Sequence, residues 1–520
     1  MSKQTDFLYI MTDQHRADWL GCYGHPVVKT PNIDALADRG TKFTDFHVAT
    51  PVCMPNRAAF MTGRYPTTNG LRYNGATLPM RANTFVDVLR ASGYKTATIG
   101  KSHLQPISKE KPFAWDDPKE RPIAEAWQPE KGNYTFEQPE RFACDEHYEV
   151  PTPYYGFDHA NIVTFHGANS AGHYLQWLRD KHQDWMELRD PAKQLRHEYT
   201  CPQALRTRLP EESYPTAYIR DSAVNYLREN FSSEAPLFTY VSFPDPHHPF
   251  TPPGKYWDMY KPDQFTLSAR FGDHENPPPP LIAAHQIFAN GKVPDVATSG
   301  FMVNDQQALE AMALTAGMIT MIDDAVGSIV AVLEEIGRLE NTVIIFNSDH
   351  GDYLGDFNML LKGAWMHESI TRVPMIWCDP ADSTLRVRDD LTSTVDIAPT
   401  ILKRAGISPY VGMQGHDLRP GETQVATARQ SLLVEYNDGF ARLGFDEPTR
   451  VRTVLTKDWR ATIYRDQIWG ELYDRRNDPL QIRNLWSDPE HSKVRGEMME
   501  LLAHRLMELM DESPRSNRAA

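Results

Sequence analysis

Four short apolar runs, each closing on ionisable or amide side chains, constrain this chain more than any other feature. DFLYIMTDQ (6–14) ends at Asp13 and Gln14, KTATIGKSH (95–103) at Lys101 and His103, LFTYVSFPDPHH (237–248) at His247, and NTVIIFNSDHGD (341–352) at Asp349 and His350. The runs are nearly continuous in apolar residues and too short for buried helices, so they read as strands covered on both faces, the condition of a parallel sheet. Helical patterns lie between them: NIDALADRG, TFVDVLRASG, and a long segment placing Leu314, Met318, Ile322, Ala325, Ile329, Leu333 and Ile336 on one face. Strands alternating with helices predict a doubly wound α/β sheet. In such sheets ligands sit beyond the carboxyl ends of the strands, so the four polar clusters should converge.

A chain of 520 residues, 41% of them hydrophobic, can bury a core of that size. The string GMQGHDLRPGET (412–423) reads as a boundary, giving an α/β domain over 1–423 and a smaller α+β unit over 424–520, where strands in RVRTVLTKDWRATIYR and GELYD precede an amphipathic helix near 489–511. Residues 104–215 and 251–305, irregular and rich in Pro, Trp and Tyr, read as long inserts that act as lids or oligomer contacts. A net charge of −15 without a basic run argues against a nucleic-acid partner. The apolar stretch before Thr12 is too short for a signal sequence or a membrane helix, so a cytoplasmic protein with no membrane partner is expected. The five cysteines are widely spaced and lack CxxC patterns, which indicates neither a disulfide framework nor a zinc cluster.

One of those cysteines is unusual in its setting. PVCMPNRAAFMTGR (51–64) puts Cys53 just before Pro55, where a Pro-initiated helix would aim backbone N–H groups at an anion. Cys53 is open to two readings, a buried free thiol or a nucleophile activated by Arg57 and the helix end. CMPNRAAFMTGR resembles the Cys-x-Pro-x-Arg motif of type I sulfatases in the alkaline phosphatase superfamily, and it stands between Asp13 and SDHGD in that family's order.

The resemblance implies a large mixed, mostly parallel sheet sandwiched by helices, with a smaller C-terminal α+β domain. It also implies conversion of Cys53 to Cα-formylglycine by a maturation enzyme. A hydrated aldehyde carries two hydroxyls on one carbon, one to attack and one to lose its proton so that the covalent ester is released. Asp13, Gln14, residue 53, Asp349 and His350 are the implied ligands of one divalent metal ion, calcium or manganese. Gln14 and His350 depart from the commoner Asp-Asp and Asp-Asn and resemble the choline sulfatase and phosphonate monoester hydrolase branches. Arg57 would anchor the modified residue; Lys101 and His103 resemble the Gly-Lys-x-His element; His247 matches Pro-His-x-Pro-Phe; and Lys362 resembles the leaving-group lysine. Asn74, in LRYNG, matches a substrate-contacting Asn of the same two branches, and an Asn-Gly turn accounts for it equally well.

These residues together imply a sulfuric ester hydrolase, arylsulfatase-like, promiscuous toward phosphonate and phosphate esters and homo-oligomeric. Two alternatives stand beside it: a phosphonate monoester hydrolase or phosphodiesterase, and a noncatalytic anion-binding protein in which Cys53 stays a thiol.

Overall fold

The computed structural model describes residues 4–108, 131–144, 146–292, 299–382, 384, 386–419 and 429–513. Its main sheet has nine strands: β1 (Asp6–Thr12), β2 (Thr41–Phe43), β3 (Lys95–Gly100), β4 (His159–Thr164), β5 (Ala171–Gly172), β6 (Leu237–Ser242), β7 (Thr342–Ser348), β8 (Met375–Cys378) and β9 (Arg386–Arg388). Their spatial order is β9-β2-β8-β7-β1-β6-β3-β4-β5. The run from β7 to β4 is parallel, while β8 and β5 pair antiparallel to their neighbours.

Alternation along β1 explains why it sits at the centre. Leu8 and Ile10 enter one hydrophobic cluster, and Phe7, Tyr9 and Met11 enter another on the opposite face. The first face is covered by helices α1 (Pro31–Ala37), α4 (Pro215–Glu229) and α5 (Asp305–Glu335), the second by α2 (Cys53–Thr62), α3 (Phe85–Ala91) and α6 (Ile397–Arg404). Each fully buried Leu, Ile or Phe in these layers contributes about 1.5–3 kcal/mol relative to exposure. Helix α5 is long and apolar enough to cross a membrane, the one such helix among the described residues, yet 72% of its apolar window is buried inside the fold. Asn304 caps it, accepting from the Gln307 N–H.

The insert expected over 104–215 is not wholly irregular. It supplies β4, which extends the parallel sheet beside β3. HANIVT offers only a short apolar signal, exposed at its first residue, which is why it does not read as a core strand from sequence. Residues 251–305 likewise contain a helix, Pro279–Ala289.

Beyond the main sheet, β10 (Leu432–Asn437), β11 (Arg450–Leu455), β12 (Trp459–Tyr464) and β13 (Gly470–Asp474) form an antiparallel sheet in chain order, backed by α7 (Ser492–Glu508). The expected boundary at 423 lies outside the described residues. Leu433, Val454, Ala461, Leu472, Met498 and Leu502 form one cluster with Ala49, Ala59 and Tyr65, so the second sheet shares a core with α2.

Where β3 meets β6 only a hydrogen fits. Gly100 has φ of +107°, and a Cβ there would stand 2.0 Å from the Ser242 carbonyl oxygen. Gly100→Ala is expected to cost about 3 kcal/mol or more, because backbone cannot yield as a flexible side chain does. Gly93→Ala, at φ of +92° with nothing within 4 Å of its Cβ, should cost only about 1–2 kcal/mol. Urea midpoints of the two variants test this; equal losses would place the constraint in φ alone.

Candidate active site

Pairing of Thr12 with Ser348, and of Met11 and Gly100 with Ser242, brings four strands to an end side by side. The residues that follow are tied across the gap: Asp349 N–H donates to Thr12 O at 3.1 Å, Asp13 N–H to Asp245 O at 3.1 Å, and Lys101 N–H to Ser242 O at 2.9 Å. The four predicted clusters therefore meet above one edge of the sheet.

Helix α2 delivers Cys53 to that edge. It starts at Cys53 itself rather than at Pro55, which occupies its third position; Val52 is extended, so Cys53 is the first residue with helical backbone. No side chain of Val52 can cap, and the exposed Asn74 does so instead, accepting from Met54 N–H at 3.2 Å. Asn56 pins the helix to the strand end, donating to Asp349 O at 2.6 Å and accepting from Ala49 N–H at 3.1 Å. Cys53 Sγ consequently lies 3.1 Å from His350 Nε2 and 3.8 Å from Asp13 Oδ1.

Arg57, one turn further along α2 and 1% exposed, holds the carboxylates. Its guanidinium donates to Asp349 Oδ2 (2.8 Å), Asp13 Oδ2 (3.1 Å), Lys101 O (2.7 Å), Tyr240 Oη (3.1 Å) and Ser242 Oγ (2.8 Å). Burial disfavours its charge, but Tyr240, Asp349 and Asp13 outweigh that and keep it protonated. Burial likewise raises the Asp13 carboxyl, and Lys101 and Arg57 reverse the effect, holding it well below the usual range. The Cys53 thiol is pushed up to about 11 by burial and by Asp13.

One donor atom from each of Asp13, Cys53, Asp349 and His350 lies within 4.8 Å of the others. His350 Nδ1 donates to Gly351 O at 2.8 Å, which fixes the tautomer and turns the Nε2 lone pair inward. Burial, then Lys362, lowers this imidazole to about 4, so it is neutral as a ligand must be. Two carboxylates and one imidazole fit a divalent cation of the calcium or manganese type. Gln14, in left-handed backbone at φ 63°, gives its N–H to Asp349 Oδ1 at 3.2 Å. Its side chain points to the other half of the site, where Oε1 accepts from Lys362 at 2.7 Å and Nε2 donates to Asp352 at 2.5 Å.

That other half is built from two lysines and two stacked imidazoles. Lys101 Nζ bonds Asp13 Oδ2 and meets His166 Nε2 at 2.5 Å, while Lys362 Nζ meets His247 Nε2 at 3.0 Å. The His166 and His247 rings stack at 3.5 Å between centroids, and His247 Nδ1 donates to His248 O at 2.6 Å. Both rings are held neutral by burial first, reinforced at His166 by Lys101 and at His247 by the His166 and His248 imidazoles and then Lys362. His103, at φ 58°, is also held well below the ordinary imidazole value by burial, Lys101 and Arg57, and its buried Nδ1 has no hydrogen-bond partner. The His103, Leu104 and Gln105 N–H groups all donate to the Glu137 carboxylate at 2.8–3.2 Å.

The structure thus gathers Asp13, Gln14, Cys53, Arg57, Lys101, His103, His247, Asp349, His350 and Lys362 into one buried cluster, with Asn74 at its rim. Sequence reasoning missed His166, Glu137, Asn56 and Asp352. His166 follows β4 as the other clusters follow their strands, so recognition of that strand would have found it.

Removing the central cation should be severe. Arg57→Met is expected to lose about 3–5 kcal/mol, because two buried carboxylates lose their partner; urea unfolding reads the loss, and a change below about 1 kcal/mol would sink the account. The pH dependence has a defined sign. His103, His166, His247 and His350 have folded values below the ordinary one of about 6.5, so the unfolded chain binds more protons below that pH and stability falls as pH drops from 7 to 5. Asp13, also depressed, adds a loss only further down, below about 4 as pH falls through its folded value. Unfolding free energies at pH 7.5, 6 and 5 should decline steadily, and a flat profile contradicts this.

Comparison with known proteins agrees with the geometry. The model of the Sulfatase family matches residues 5–407, and that of the N-sulphoglucosamine sulphohydrolase C-terminal region matches 355–508. An uncharacterized sulfatase of Escherichia coli is 28% identical, covering 98% of this chain and 88% of its own. An arylsulfatase of Clostridium perfringens is 27% identical over 94% of this chain and 91% of its own. The crystal structure of a phosphonate monoester hydrolase of Agrobacterium radiobacter shares the fold, with a TM-score of 0.76 at 24% identity, covering 98% of this chain and 97% of that one. By its strand-end site and by the match over most of its length, this chain belongs to the sulfatase family.

Proposed function

We propose that this enzyme hydrolyses sulfate monoesters, with residue 53 carried as formylglycine and completing, with Asp13, Asp349 and His350, the ligand set of a calcium or manganese ion. Gln14, expected from the sequence among those ligands, instead spends its side chain on Lys362 and Asp352. The observation that carries the reading is Cys53, the first residue of a buried helix, facing that donor set while two lysine–histidine pairs stand beside it.

When bound, the cation polarises the substrate oxygen and favours the deprotonated nucleophile. The aldehyde hydrate of residue 53 supplies one hydroxyl for attack and another for release. The chain's own residues do the rest. Arg57 and the N-terminus of α2 hold negative charge at residue 53. Lys101, fixed by Asp13 and His166, neutralises the nonbridging oxygens of the ester. Lys362 and His247, bonded to each other, carry a proton to the departing alcohol oxygen. His103, neutral and with an unpartnered Nδ1, accepts the proton that triggers release.

Phosphonate monoester hydrolysis is the second reading, favoured by Gln14 and His350. A relative from Trinickia caryophylli, 25% identical over 96% of this chain, is named a multifunctional alkaline phosphatase superfamily protein. We further propose a cytoplasmic homo-oligomer: the five cysteines are free, and Leu506, Met507 and Met510 are exposed at the end of α7.

Co-produced with a maturation enzyme, the peptide containing residue 53 should weigh about 18 Da less in its aldehyde form than the cysteine peptide. An unchanged mass would leave the anion-binding alternative. Aryl sulfate turnover should exceed aryl phosphonate turnover in kcat/KM, and the reverse order selects the second reading. Lys362→Ala should lower kcat by about 100-fold or more for an alkyl sulfate and much less for nitrophenyl sulfate, whose leaving group needs no proton.

A further inference from the structure

Beside the rim of the site stands a group of arginines that the reaction above does not use. On the C-terminal sheet Asn437 faces Arg450 and Glu435 faces Arg452 in register. These strands meet the segment that follows α2. The Glu435 carboxylate accepts from Thr67 N–H at 3.0 Å and from its hydroxyl at 2.6 Å, and Asn437 Nδ2 donates to Arg72 O at 3.4 Å. Arg72 is exposed and lies two residues before Asn74, the residue that caps the helix of Cys53. Two residues of chain put their Cα atoms within about 7 Å, the width of one ring.

These arginines sit unusually for a chain of net charge −15. Arg450 spends its bonds on the carbonyls of Asp438 (2.9 Å) and Thr449 (3.2 Å). Arg452 bonds Val451 O at 2.8 Å and Asn437 Oδ1 at 3.2 Å, with its nearest carboxylate, Glu435, 3.9 Å away. Burial, then Arg465, Arg72 and Arg452, pull the Arg450 guanidinium below its ordinary value, with Tyr73 opposing. Glu435 offsets part of the Arg452 charge, but Arg450, whose bonds go to backbone carbonyls, has no carboxylate at ion-pair distance among the described residues. The positive charge left over raises the local potential for an anion, and planar guanidinium forks match sulfate and carboxylate better than ammonium groups do.

We propose that Arg72, Arg450 and Arg452 form an anion-binding subsite at the rim, so that the preferred substrates are esters whose alcohol half carries a second oxyanion. The inference rests on the reading of residue 53 as the centre of ester hydrolysis, and it names the class of alcohol.

Sulfonates cannot be hydrolysed, so their binding reports the subsite independently of turnover. Calorimetry on the full chain would compare benzenesulfonate, 3-sulfobenzoate and benzene-1,3-disulfonate. A second oxyanion should tighten binding about 10-fold; preference for the disulfonate alone identifies a second sulfate, and preference for both identifies any oxyanion. Arg72→Gln and Arg450→Gln should shrink the preference to about 2–3-fold. Arg72 is exposed, so its variant carries the test even if Arg450→Gln folds poorly. Equal binding of the three probes, or a preference that survives both substitutions, overturns the subsite. Failure to cleave any aryl ester, with the arginine-dependent preference intact, would instead remove the hydrolase reading and leave the subsite standing.

Discussion

Everything at this site depends on one guanidinium. Asp13 and Asp349 are both fully buried at adjacent strand ends, an arrangement whose repulsion and desolvation would cost several kcal/mol without a partner. Arg57 answers both, bonding one oxygen of each, and uses its remaining donors on the carbonyl of Lys101 and the hydroxyls of Tyr240 and Ser242. It is thus tied to β1, β3, β6 and β7 at once. Because Arg57 and Cys53 sit on the same helix, the anchoring that neutralises the carboxylates also sets where the sulfur atom stands.

From that anchor the site divides by charge. On one side two carboxylates and a neutral imidazole face Cys53, the environment of a hard cation. On the other, two ammonium groups each meet the Nε2 of a stacked imidazole, an environment for an anionic ester and its departing oxygen. Gln14 joins the halves, its backbone on Asp349 and its side chain on Lys362 and Asp352. Its left-handed backbone is what lets one residue face both ways.

Much of this was legible in the sequence, and for physical reasons. A strand buried on both faces must be apolar throughout, so the first polar residues after it stand out, and β1, β3, β6 and β7 announced their ends at Asp13, Lys101, His247 and Asp349. The signal fails where burial is partial. β4 is exposed at His159 and sits near the sheet edge, so its strand, and with it His166, merged into an apparent lid. Glu137 was invisible for another reason: its part is to accept three successive backbone N–H groups from a strained turn, and nothing in the spacing of a lone glutamate encodes that. The helix start was misplaced by two residues because Asn74, distant in sequence, supplies the cap that Val52 cannot.

The depth of Cys53 also bears on the order of events in the life of the chain. The thiol is 2% exposed, in the first turn of a helix whose far side shares a core with the C-terminal sheet. With the thiol turned toward Asp13 and His350, a modifying enzyme would need the first turn of α2 unfolded to reach it. The conversion proposed for residue 53 would therefore fall to the nascent chain, before the C-terminal sheet has folded against α2, and a protein that folded first would keep its sulfur.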